Sequence, residues 1–103
     1  MSTYRDPIAA AGDPTRRELL ERLRGGPRSV GELAAGLPVS RPAVSQHLRV
    51  LREARLVSES RDGTRRIYRL DPAGVGDLRV WAERFWDDAM TAFKEAVERE
   101  EER

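Results

Sequence analysis

The chain has 103 residues, 39% hydrophobic and 36% charged, with a formal net charge of +1; the length fits one domain, and the balance is that of a globular rather than a disordered chain. Cysteine is absent and His47 is the only histidine, which excludes disulfides, thiolate metal sites and thiol nucleophiles and argues against a Ser-His-Asp relay or a His-rich zinc site. No apolar run is long enough for a membrane span and no basic-then-apolar N-terminus reads as a signal peptide, so a cytoplasmic binding domain is expected rather than an enzyme.

In chain order, residues 5–11 predict a short helix that Gly12 ends. Asp13-Pro14 reads as the N-cap and first residue of a second helix, whose apolar side is Leu19, Leu20 and Leu23 and which Gly25-Gly26-Pro27 stops; the two N-terminal helices occupy 5–24. Ser29-Val30-Gly31-Glu32 has the form of a capping box and opens a third helix. Val30, Leu33, Ala34 and Leu37 follow at i, i+3, i+4 and i+7, and Pro38 interrupts. Ser40 caps a fourth helix that tolerates Pro42 in its first turn and turns Val44, Leu48 and Leu51 inward. Beyond residue 55 the period becomes alternating: 56–60 and 64–70 read as strands around Arg61-Asp62-Gly63, a hairpin signal. Asp71-Pro72 starts a last helix, expected to be well formed from about residue 76. Leu78, Ala82, Phe85, Ala89, Ala92 and Ala96 step by four and three, and Trp81, Trp86, Met90, Phe93 and Val97 widen the stripe to about half the circumference. One small domain needs a stripe of only ~100°. One flank is therefore expected to cover the domain's own helices, and the surplus to meet a second partner.

Charge is spread unevenly along this layout. Residues 41–70 carry eight basic and three acidic groups, whereas 83–103 carry four basic and eight acidic, so the middle is a candidate polyanion-binding surface and the C-terminal part is not. Of 19 basic residues only Lys94 is lysine. Arginine forks suit phosphate and guanine, but a GC-rich genome favours arginine codons as well, and the bias decides nothing by itself.

Three helices, a further hairpin and a closing helix form the layout of a winged helix-turn-helix, and the stretch from Asp13 to Pro72, above all SRPAVSQHLRVLREARLV from Ser40 to Val57, resembles the ArsR-family transcriptional regulators. The resemblance covers roughly residues 5–97 and implies a mainly α fold with about five helices and one hairpin wing. It divides a single domain, 1–103, into a helix-turn-helix at 29–54, a wing at 56–70 and a C-terminal dimerisation helix at 72–103. The function implied is a homodimeric repressor on a palindromic operator in double-stranded DNA.

The residues themselves support that implication. If the stripes of the third and fourth helices pack on each other, Arg41, Pro42, Ser45, Gln46 and Arg49 lie on the free side, and a helix fits the major groove. With the capping Ser40, these are the candidate DNA contacts: Arg41 and Arg49 toward guanine or phosphate, Gln46 toward adenine, Ser45 toward either base or phosphate. The bland alternative is a solvated polar face. Arg61, Arg65 and Arg66 would carry the wing tip into a minor groove or onto its phosphates, with Arg69 nearer the base; charge that protects an edge strand is the competing and compatible account. His47 is expected to be a half-buried packing residue hydrogen-bonded to a neighbour, with a phosphate contact as the alternative.

The resemblance also sets a contrast over metals. Many relatives carry a cysteine metal box in the third helix, and others bind zinc through Asp, His and Glu on the last helix. Here the third helix has no sulfur, and the last offers Asp77, Glu83, Asp87 and Asp88 without a histidine, a donor set zinc rarely uses alone. No metal or other cofactor is expected, and the sequence names no small-molecule inducer. Arg55 stands where relatives often have glycine, a place for a left-handed backbone. The family further implies that the last and N-terminal helices pair across a two-fold axis, through Ile8, Leu78, Trp81, Ala82, Phe85, Trp86, Ala89, Phe93 and Val97. Two other accounts compete: the tryptophans complete the monomer core, or the aromatic face serves a winged-helix interaction module that does not touch DNA.

Overall fold

The computed structural model describes residues 6–102. Five helices and three strands follow in order: α1 (Pro7–Ala10), α2 (Pro14–Leu23), β1 (Arg28–Ser29), α3 (Val30–Ala34), α4 (Arg41–Glu53), β2 (Val57–Asp62), β3 (Arg65–Leu70) and α5 (Pro72–Glu101). This is the expected helix-and-wing layout. Arg5 and Arg103, at the outer ends of the expected first and last helices, lie outside the described residues.

Every helix start is written in its own cap. Asp6, Asp13, Ser40 and Asp71 each accept a backbone N–H two or three residues on, and each is followed by proline at the first or second helical position, where a missing N–H costs nothing. Ser29 and Glu32 close the predicted capping box reciprocally, at 3.2 and 3.0 Å. Leu19, Leu33, Val44, Leu48, Leu51 and Leu56 are completely buried and bind α2, α3, α4 and the start of β2 into one core. Val50, outside the predicted stripe, is buried as well.

The sheet differs from expectation in two ways. It has three antiparallel strands in the order β1-β3-β2, because Arg28 and Ser29 pair with Tyr68 and Ile67; two residues are too few for an alternation to show. The hairpin loop is also shorter and later than the predicted 61–63, because Arg61 and Asp62 belong to β2. Asp62 pairs with Arg65, so the loop is Gly63-Thr64. Only the first loop residue, Gly63, has positive φ, the φ pattern of a II′ turn, which suits the twist of the flanking strands.

The last helix departs further. It begins at Pro72, where the sequence starts it, and is regular from that first turn rather than only from about residue 76, since the Asp71 cap and Pro72 nucleate it despite Gly74 and Gly76. Gly74 is buried against the corner after α4: its N–H donates to the Arg55 carbonyl at 2.8 Å, and a Cβ there would overlap that carbonyl. Arg55 is left-handed, φ 61°, as the resemblance implied. The expectation that one flank of α5 covers the domain is not met. Leu78 packs half-buried on the core, and from Arg79 to Glu101 every residue is exposed. Trp81 and Trp86 are 47% and 64% exposed, so they do not complete the monomer core. The reason is direction: α5 is held at its first turns and then leaves the domain, giving extents of 67 × 28 × 27 Å.

Candidate nucleic-acid interface

The burial of α4 splits it cleanly. Val44, Leu48 and Leu51 have no exposed surface, while Ser40, Arg41, Pro42, Ser45, Gln46 and Arg49 are all exposed. An amphipathic helix whose apolar stripe is satisfied by its own domain offers its polar side outward by geometry. That side is not crowded by acids. Arg49 meets Glu53 one turn along at 3.3 Å, an exposed pair of little energetic weight. Arg41 and Gln46 are engaged by no acid among the described residues.

His47 sits at the edge of this side as predicted, with its side chain 24% exposed. Arg16 of α2 points a guanidinium N–H at His47 Nδ1 at 3.3 Å, and the same guanidinium donates to the Ala10 carbonyl at 2.6 Å. Asp13 Oδ2 lies 3.9 Å from His47 Nδ1. The Arg16 backbone N–H, followed by the charge of Arg16, holds the Asp13 carboxyl below the usual carboxylate range. This cluster clamps the N-terminus of α2 to the middle of α4, so it fixes the helix that would read DNA.

The sequence-predicted arginines fall into separate groups. Arg41, Arg65 and Arg66 line one cleft of about 300 Å³ between the starts of α3 and α4 and the wing. Ser45, Gln46 and Arg49 lie on the outward side of α4, away from that cleft. Arg61 stands directly across the hairpin from Arg66. Like charges facing each other on one side of a ladder destabilise it, and a polyanion would relieve them.

Two acids that sequence reasoning missed hold the wing. Glu59, its side chain 17% exposed, meets Arg52 of α4 at 2.6 Å, Arg66 at 3.7 Å and the Tyr68 hydroxyl, which donates to it, at 3.1 Å. Burial, then the negative charge of Glu59, pushes the Tyr68 phenol above its ordinary value. Glu32, read from the sequence only as a cap, also accepts from Arg65 at 3.1 Å. The register of the hairpin would have disclosed Glu59 beside Arg66 and Tyr68. Nothing local discloses Glu32, which is 33 residues from Arg65.

The expected pairing residues lie outside this interface. Ile8 on α1 and Leu78 are half-buried within the chain, whereas Trp81, Ala82, Phe85, Trp86, Ala89, Phe93 and Val97 are exposed along α5. Trp81 and Phe85 stack with ring centroids 5.4 Å apart. Among the described residues no group of three or more His, Cys, Asp and Glu is placed to hold a metal ion, and no helix is long and apolar enough to cross a membrane.

Comparison with known proteins places this geometry. The family model described as "Bacterial regulatory protein, arsR family" matches residues 13–59, from the cap of α2 into β2. The HTH-type transcriptional regulator Rv2034 of Mycobacterium tuberculosis (strain ATCC 25618 / H37Rv) is 54% identical over 103 residues, covering 97% of this chain and 96% of that protein. The transcriptional repressor SdpR of Bacillus subtilis (strain 168) is 36% identical over 72 residues, 70% of this chain and 80% of SdpR. A crystal structure titled as a possible transcriptional regulator for arsenical resistance superposes with a TM-score of 0.74 at 51% identity, covering 79% of this chain and 84% of that one. The chain belongs to the ArsR family of bacterial regulatory proteins and is a winged helix-turn-helix transcriptional regulator.

Proposed function

We propose that this regulator represses transcription as a homodimer, laying one α4 from each protomer into successive major grooves of a palindromic operator about 34 Å apart. The observation that carries the reading is the division of α4 into a fully buried apolar stripe and an outward side of Ser45, Gln46 and Arg49. Ser45 and Gln46 read base edges. Arg49 and the wing arginines Arg61, Arg65 and Arg66 hold phosphates, and Arg41, turned into the wing cleft, joins them rather than the base readers. Ser40 and Pro42 set the start of the helix against the backbone of the duplex. Regulation involves no sensed metal, because a chain with one histidine and no cysteine offers zinc only oxygen donors beyond His47.

The test is titration of the protein against the duplex upstream of its own gene and against a scrambled duplex, over a range of salt. Wild type should prefer the upstream duplex, with affinity falling steeply as salt rises. Gln46→Ala should lose ~1–3 kcal/mol of discrimination at one symmetric position of the operator. Added stoichiometric zinc should leave the complex intact. No salt-dependent binding to any duplex would refute the DNA-binding reading, and unchanged discrimination in Gln46→Ala would refute the assignment of the reading side.

A further inference from the structure

The cleft between α3, α4 and the wing is lined by three arginines, yet two of them already face carboxylates: Arg66 meets Glu59 at its rear, and Arg65 meets Glu32, on α3 at the cleft itself. Glu32 Oε1 accepts from Arg65 at 3.1 Å while it accepts the Ser29 backbone N–H at 3.0 Å. The capping box therefore holds the carboxylate still, so it meets the wing without ordering a free side chain. The bonds from Ser29, backbone first, hold the Glu32 carboxyl below the usual carboxylate range, and the charge of Arg65 adds to them, so it is an anion at neutral pH. A carboxylate offers a guanidinium the same paired oxygens as a phosphate. Both partners are more than half exposed, 58% for Arg65 and 52% for Glu32. Such a pair is weak in water and exchangeable.

We propose that Glu32 is an intramolecular stand-in for a backbone phosphate in this cleft, and that it sets the strength with which the wing grips DNA. The inference rests on the DNA-binding reading above. A duplex docking its backbone between Arg41 and the wing must take Arg65 from Glu32, and it then faces the displaced carboxylate a few ångströms away. Both effects subtract from the electrostatic part of binding, which is common to all sequences. The Arg65 charge is thus partly cancelled until the anion that replaces Glu32 arrives.

The experiment compares wild type, Glu32→Gln, Arg65→Gln and the double variant on a mixed-sequence duplex of about 30 base pairs, as a function of salt. Glutamine keeps the capping box and can still accept from Arg65, so the fold should be retained, which thermal melting checks. Glu32→Gln should bind about three- to eightfold tighter near 0.1 M salt, with a salt slope steeper by nearly one ion. In the Arg65→Gln background the same change should produce a clearly smaller gain, because only the repulsion between the carboxylate and the phosphate is left to remove. Wild-type affinity and slope in Glu32→Gln, with wild type itself binding, would overturn the inference alone. So would an undiminished gain in the Arg65→Gln background, because Glu32 would then be acting as a general surface charge. A wild type that binds no duplex would instead overturn the underlying reading.

Discussion

Arg55 is the one residue in the described chain, glycines aside, that holds a positive φ. A side chain there costs about 1 kcal/mol relative to glycine. The chain accepts the cost at the point where α4 must turn into β2, and α5 covers the corner: Gly74 N–H bonds to the Arg55 carbonyl at 2.8 Å and Asp71 N–H to the Leu56 carbonyl at 2.9 Å. Two substitutions should act in opposite directions. Arg55→Gly should raise stability by about 0.5 kcal/mol, since relief of strain exceeds the added freedom of the unfolded chain. Gly74→Ala should lower it by about 1–3 kcal/mol, since the new methyl meets backbone that cannot yield without lifting α5. Urea midpoints at constant slope read both; a Gly74→Ala protein as stable as wild type would mean that α5 does not approach the corner this closely. The residue scale also shows what a sequence discloses. The caps at Asp13, Ser29, Ser40 and Asp71 were legible because each uses one side chain and the backbone two or three residues on. Gly74 was not, because its reason is a carbonyl nineteen positions earlier, brought there by the whole fold.

Among the elements, the wing is joined to the domain by little apolar packing and by a cluster of charge. Only Val57 and Tyr68 of the two long strands are buried, and Glu59 connects Arg52 of α4 with Arg66 and Tyr68. Removing that carboxylate leaves the Tyr68 hydroxyl and two guanidinium groups without their shared partner. Glu59→Ala should therefore lower stability by about 1–2 kcal/mol, reduced from a fully buried case because Arg52 is half exposed. The raised Tyr68 phenol adds a pH dependence of definite sign. The folded protein keeps the phenol neutral above its ordinary value near 10, so the unfolded chain ionises first. That contribution is fully present below about pH 10 and is lost as pH rises from there through the folded value. Denaturation at neutral pH and at about pH 10.5 should show wild type losing more stability than Tyr68→Phe, and equal losses would contradict it. Helices and hairpin were legible from caps and from periods of 3.6 and 2. The edge strand β1 was not, because two residues carry no period, and the Gly63-Thr64 turn was placed too early because Arg61 and Asp62 extend their strand rather than entering the loop.

At the scale of the molecule, the unresolved tension is α5. About 34 Å of helix projects from the domain with Trp81, Phe85, Trp86, Met90, Phe93 and Val97 each at least 40% exposed. A helix draws most of its stability from packing an apolar face, and a contiguous exposed stripe of this size marks an interface. A second α5 is the partner that fits, because the stripe spans only half the circumference and can be covered by its own two-fold copy. Burying one such aromatic is worth ~1.5–3 kcal/mol, and in an isologous interface every residue counts twice. In the proposed homodimer the same pairing would fix the separation of the two reading helices, and DNA specificity would depend on it, because a lone protomer holds one half-site. Wild type should sediment as a dimer at micromolar concentration, while a Phe85→Glu, Phe93→Glu double variant should be monomeric and lose its preference for a palindrome. Neither side chain touches the core of the winged domain, so that domain should keep its melting transition in the variant, separating lost pairing from lost folding. A monomeric wild type, or a double variant that remains dimeric and still selects the palindrome, would rule out α5 as the dimerisation helix.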